Sequence, residues 1–64
     1  MIRVGSIWRF HDGALRLTVS VEDSKDYGLF IVTYVYLLPG HWGASLSTMP
    51  LNSRDIAEKV EILS

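Results

Sequence analysis

The chain has no cysteine, which excludes disulfides and thiolate metal sites as the staples of a small fold. Histidine is nearly absent too, with only His11 and His41, thirty positions apart. Long apolar runs are missing: the longest, Leu29–Leu38, carries Thr33 inside it and falls short of the ~18 residues a membrane span needs. The opening Met-Ile-Arg-Val-Gly holds no signal-peptide apolar core, and with the missing cysteine this predicts a reducing cytoplasm and no membrane contact. A basic excess is also lacking. Six Lys and Arg stand against seven Asp and Glu, a formal charge of −1, whereas a duplex-binding domain normally neutralises phosphates with a surplus of cations.

What the chain does have is apolar and aromatic content, 48% and 11%, which describes a folded globular protein. Its 64 residues make one domain, residues 1–64, around one core. A chain of this size buries only about 60% of the surface its unfolded form exposes, so an isolated copy is marginal. With disulfides excluded and no metal expected, a second copy of the chain is the expected staple.

Turn signals punctuate the sequence at Asp12-Gly13, at Glu22–Asp26 with Gly28, at Pro39-Gly40 with Gly43, and at Pro50 through Ser53. Between them lie β-branched and aromatic runs, the pattern of a small all-β barrel or sandwich. The first strand is read over Val4–Phe10, with Val4, Trp8 and Phe10 on one face and Arg3 and Arg9 on the other. Asp12-Gly13 then signals a hairpin whose turn wants positive φ, which Asp tolerates and Gly adopts freely. In the second strand Leu15, Leu17, Val19 and Val21 alternate with Arg16, Thr18, Ser20 and Glu22, predicting the first set inward and the second in water.

The third strand, Leu29–Leu38, has no polar face. Either Phe30, Val32, Tyr34 and Tyr36 line the core and Leu29, Ile31, Val35 and Leu37 face outward, or the reverse; with both choices several large apolar side chains are left over, and covering them predicts self-association. A fourth strand over Ala44–Met49 is expected to stop at Pro50, which cannot donate to a ladder. Asn52 or Ser53 caps a helical turn over Arg54–Glu58 with Asp55 at its positive end, and a last strand covers Val60–Leu63. A four-strand meander, one short helical turn and a closing strand is the order of a five-stranded SH3-like barrel, in which the last strand returns beside the first.

The stretch Gly5-Ser-Ile-Trp-Arg-Phe-His-Asp-Gly13, followed by Val32-Thr-Tyr34 and Met49-Pro-Leu51, resembles small SH3-like proteins of phages and mobile elements. The resemblance covers most of the chain and marks architecture more than activity. Ser6 stands where those proteins usually have an acidic residue, and the Pro39-Gly-His-Trp-Gly43 segment is not part of their pattern. The resemblance implies a mobile-element origin, a host-cell cytoplasm and a binder of a host or defence protein, and, because Val32-x-Tyr34 matches the inward pair of those proteins, it also implies Phe30, Val32, Tyr34 and Tyr36 inward.

No nucleophile motif, phosphate-binding glycine loop or paired carboxylate is present, so a non-enzymatic binding module without a cofactor is expected. In a meander alternate loops share an end, which predicts His11, Asp12, His41 and Trp42 as neighbours, away from Asp23. Two histidines and a carboxylate have the chemistry of a zinc site, but no ligand pair shares a strand face or helical turn, so ordinary loop histidines and no metal are expected. The residues expected to bind a ligand or partner are Arg9, His11, Tyr34, Tyr36, His41 and Trp42. Trp42, between glycines, is either a stacking anchor or a lid on the core. The expected partner besides a second copy is a host or defence protein or a small anionic, nucleotide-like ligand. The alternative is a nucleic-acid-binding barrel using Arg3, Arg9 and Arg16 with Trp42 or exposed tyrosines.

Overall fold

The computed structural model describes residues 2–25, 28–37 and 45–64. Its elements are β1 (Ile7–Phe10), β2 (Leu15–Ser24), β3 (Leu29–Tyr36), β4 (Ser47–Leu51), α1 (Ser53–Lys59) and β5 (Val60–Ile62). All strand pairs are antiparallel and the order is β4-β3-β2-β1-β5. This is the all-β, barrel-like meander expected, with the short helix before a last strand that returns beside the first.

Local chemistry accounts for the helix. The Asn52 side chain accepts from the Asp55 N–H at 2.7 Å while the Asp55 carboxylate accepts from the Asn52 N–H, a reciprocal capping box. It runs two residues further than the single turn expected, from Ser53 to Lys59, with Lys59 at its negative end. β4 passes through Pro50 instead of stopping before it, because an edge strand has one side without ladder partners and can place the missing N–H there.

The core holds Ile2, Trp8, Val32, Tyr34 and Leu51, with Phe10, Val21, Phe30, Tyr36, Met49, Ile56 and Val60 packed against it. β3 therefore turns Phe30, Val32, Tyr34 and Tyr36 inward, the choice made from the sequence. Two inward assignments need correction. Val4, expected beside Trp8, is 69% exposed in a turn before β1. The larger correction concerns β2: Arg16 and Thr18 are buried, 1% and 2% exposed, while Val19 is 43% exposed.

The hairpin explains the inversion. Gly13 N–H bonds Phe10 C=O at 2.8 Å, and Gly13 alone takes positive φ, +85°. The loop therefore contains three residues, His11, Asp12 and Gly13, and not two: a tight turn closed by a left-handed glycine. Trp8 consequently pairs with Arg16, not Leu17, and a one-residue slip moves a whole strand's side chains to the other face. A bulge between Thr18 and Ser20 then inserts Val19 as an extra residue and restores the expected alternation beyond it, with Val21 inward beside Val32.

On the opposite face, register aligns Ile7, Leu17 and Val35 in one row across β1, β2 and β3. Leu63 extends that row through its N–H bond to Ile7 C=O at 2.8 Å. The adjacent row runs Glu61, Arg9, Leu15 and Leu37. One end of the sheet's outer surface is thus apolar, while the rows beyond it carry Ser20, Thr33 and Thr48, then Glu22, Ile31 and Pro50.

Candidate functional site

Arg16 sits on the inward face between Trp8 on β1 and Tyr36 on β3, its direct cross-strand partners. Its guanidinium carbon lies 5.3 Å from the Trp8 ring centre, 5.4 Å from Phe10, 5.1 Å from Tyr34 and 4.9 Å from Tyr36. Four π-faces and edges thus surround one cation at cation–π distance. The rings brace one another edge-on, Trp8 against Phe10 and Tyr34, and Tyr34 against Tyr36. The Trp8 indole N–H is satisfied by Thr18 Oγ1 at 3.0 Å.

Asp12, at the tip of the hairpin, closes this cage. Arg16 Nη2 donates to Asp12 Oδ2 at 2.7 Å and Nη1 donates to Oδ1 at 3.0 Å, a two-pronged carboxylate–guanidinium pair. Nη1 also donates to Ala14 C=O, and Nη2 reaches the Tyr36 hydroxyl at 3.5 Å. Asp12 further accepts from the Ala14 N–H at 3.0 Å. The hydrogen bonds from Arg16 hold the Asp12 carboxyl far below the usual carboxylate range, although the side chain is 46% exposed. That pair in turn holds the Arg16 proton more firmly than in water. Among the described residues, Arg16 Nε is buried without a hydrogen-bond partner. The two tyrosines diverge: burial raises the Tyr34 hydroxyl, whereas hydrogen bonds with Tyr34 and Arg16 lower Tyr36 from its ordinary value near 10.

Beside the cage, outside the hairpin, lies an open groove of about 340 Å³. Arg9, Phe10, His11 and Gly13 line one side, and Glu58, Lys59, Val60 and Glu61, at the α1–β5 junction, line the other. His11 rests against the Phe10 ring, 4.2 Å between centres. Arg9 faces Glu61 at 3.6 Å, and Lys59 faces Asp55 at 3.4 Å, both pairs solvent-exposed and weak.

Of the six residues expected to bind, the structure brings Arg9 and His11 together in the groove and Tyr34 and Tyr36 together in the cage. His41 and Trp42 lie outside the described residues, so the shared-end placement of His41 and Trp42 lies outside them as well. Sequence reasoning missed Arg16 and Asp12 as a pair. The signal was present in their spacing: a carboxylate on a three-residue turn lies within reach of the second residue of the following strand. Among the described residues no three His, Asp or Glu side chains gather closely enough to share a metal ion. No helix is long and apolar enough to cross a membrane. The chain matches no family model, no curated protein and no solved structure.

Proposed function

We propose that this chain is a non-enzymatic binding module that works as a homo-oligomer, its subunits joined through the outer faces of their sheets. The observation that carries this reading is the apolar row Leu63–Ile7–Leu17–Val35 with Leu15 and Leu37 beside it. Several of these side chains are already half-covered by neighbours. Covering the rest is worth a few kcal/mol, at ~1.5–3 kcal/mol for each large side chain taken fully out of water. That is a sizeable share of the ~3–10 kcal/mol expected for a chain of this length.

The groove supplies the binding half of the reading. Arg9 and Lys59 line it beside Glu58 and Glu61, Arg9 paired with Glu61 and Lys59 with Asp55 of α1, and an incoming anion takes the place of those carboxylates on the two cations. The ligand of this reading is an anionic group, carried by a small nucleotide-like molecule or by an acidic segment of a host or defence protein. The resemblance to proteins of phages and mobile elements favours such partners. A nucleic-acid reading loses Arg16, whose charge is buried and neutralised by Asp12.

Sedimentation at micromolar concentration tests the assembly. The expected result is a mass that is a multiple of 7.2 kDa, falling to 7.2 kDa in Leu17→Glu with the strand spectrum retained. A single 7.2 kDa species for the unaltered chain overturns it. Titration with adenosine monophosphate and with an oligoglutamate peptide tests the groove separately. Binding lost in Arg9→Ala supports it, and no binding of either at millimolar concentration refutes it.

A further inference from the structure

The aromatic cage is built as a receptor for a cation, and its occupant belongs to the same chain. We infer that Trp8, Phe10, Tyr34, Tyr36 and Asp12 form a binding site for guanidinium and alkylated ammonium groups, held shut in the intact protein by Arg16. Three observations carry this. Four rings, two from β1 and two from β3, lie 4.9–5.4 Å from the guanidinium carbon, a geometry that favours positive charge through each ring's quadrupole. Asp12 offers both carboxylate oxygens to the planar fork at 2.7 and 3.0 Å, which adds selectivity for guanidinium over a rounder cation. Arg16 itself is imperfectly held, since its Nε is buried with no partner among the described residues. Nε belongs to the guanidinium itself, so the cage holds that head by hydrogen bonds to its two terminal nitrogens alone.

Arg16 keeps other cations out because tethering gives it a local concentration no free ligand matches. Its removal leaves the rings braced by their mutual edge contacts and by the Trp8–Thr18 bond, with Asp12 at the mouth. The vacated volume corresponds to an ethylguanidinium ion, the part of the arginine side chain beyond Cβ. The site is independent of the groove and of the oligomeric state, since it is assembled within one subunit.

The test uses Arg16→Ala, titrated with ethylguanidinium, tetramethylammonium and ethylurea, the last a neutral molecule of nearly the same shape as the first. The readouts are the Trp8 indole N–H resonance, separable from that of Trp42, and the thermal midpoint. Ethylguanidinium should bind with a dissociation constant on the order of millimolar, shift the indole resonance and raise the midpoint, as expected for several weak cation–π contacts plus one ion pair. Tetramethylammonium should bind more weakly, and ethylurea should do nothing at the same concentrations. Adding Asp12→Ala should weaken ethylguanidinium about tenfold and tetramethylammonium far less, because only the former has N–H groups to give. In the intact chain none of the three should move the indole resonance. Where Arg16→Ala is unfolded alone, cation-dependent folding serves as the same readout. Equal response to ethylurea, response of the intact chain, or no response to either cation with the variant folded or unfolded, each overturns the inference.

Discussion

Thr18→Val changes one hydroxyl for a methyl group and separates the buried register of β2 from the one its alternation suggests. Thr18 is 2% exposed, and its Oγ1 is the acceptor for the Trp8 indole N–H at 3.0 Å, in a part of the core where Trp8 has no exposed surface. Valine keeps the shape and the strand preference of threonine, and it leaves the two backbone bonds of residue 18, to Ser6 C=O and from Gly5 N–H, in place. What it removes is the acceptor, and a buried donor left without a partner costs about 1–3 kcal/mol. Against a total of ~3–10 kcal/mol this is a large fraction, and for a domain of this size it lowers the thermal midpoint by roughly 5–20 °C. Were Thr18 on the wet face, the same change would lie within about 0.5 kcal/mol of neutral. Urea unfolding of four proteins decides the matter: the unaltered chain, Thr18→Val, Trp8→Phe and the double variant. The cost of Thr18→Val should largely vanish in the Trp8→Phe background, where no indole donor waits for it. A neutral or stabilising Thr18→Val in the unaltered chain would refute the reasoning, and with it the inward placement of Arg16.

Acid should reveal Asp12 in the same way. Its carboxyl is depressed by the bonds from Arg16 and from the Ala14 N–H, so the stability it contributes is complete above the ordinary aspartate value near 4 and is lost as pH falls below that. Asp12→Ala should be less stable at neutral pH and should lose less on acidification from pH ~5 to ~2 than the unaltered chain; parallel curves by circular dichroism would contradict the pairing. In α1, Asn52→Ala removes one half of the capping box and should cost about 0.5–2 kcal/mol in urea unfolding, while Asn52→Asp, which keeps the acceptor, should cost little. Equal losses for the two variants would show that the cap is not what starts α1.

The order of elements was legible because several of them begin or end near a strong local signal, although β2 runs on to Ser24 and β4 through Pro50. Asp12-Gly13, Gly28 and Asn52 all mark turns or caps where the structure has them. The faces of β3 were not legible in its own residues, since neither face is polar; the choice that the structure shows came from the likeness of Val32-x-Tyr34 to an inward pair. β2 was misread because a clean apolar–polar alternation fits two registers equally well, and a single residue of loop length chooses between them. His11 carries no local mark that it belongs to the loop. The bulge at Val19 compounded this, since alternation over residues 15–22 is unbroken in the sequence while the backbone breaks it. A buried arginine runs against the average burial of its type, and the neutralising Asp12 and four rings that permit it come from three separate segments. Of the site, Arg9, His11, Tyr34 and Tyr36 were found as individual residues, but the split between an outer groove and an inner cage depends on that same register.

The three-residue hairpin at His11–Gly13 also bears on how such a protein can change over generations. Loops are ordinarily where a lineage gains and loses residues at little cost. Here a deletion of one residue that kept the three-residue turn would re-pair Trp8 with Leu17, bring a leucine inward in place of the caged arginine, and send Arg16 out to water, leaving Asp12 without its partner. An insertion under the same condition would slip the register the other way. Length change at this hairpin is therefore neutral only where the turn itself changes size to absorb it, and otherwise exchanges the inward residues of β2. Among descendants that keep the arginine cage, the hairpin should hold its length while the turn around Gly28 drifts, a reversal of the usual expectation that the tightest turns are the most freely edited.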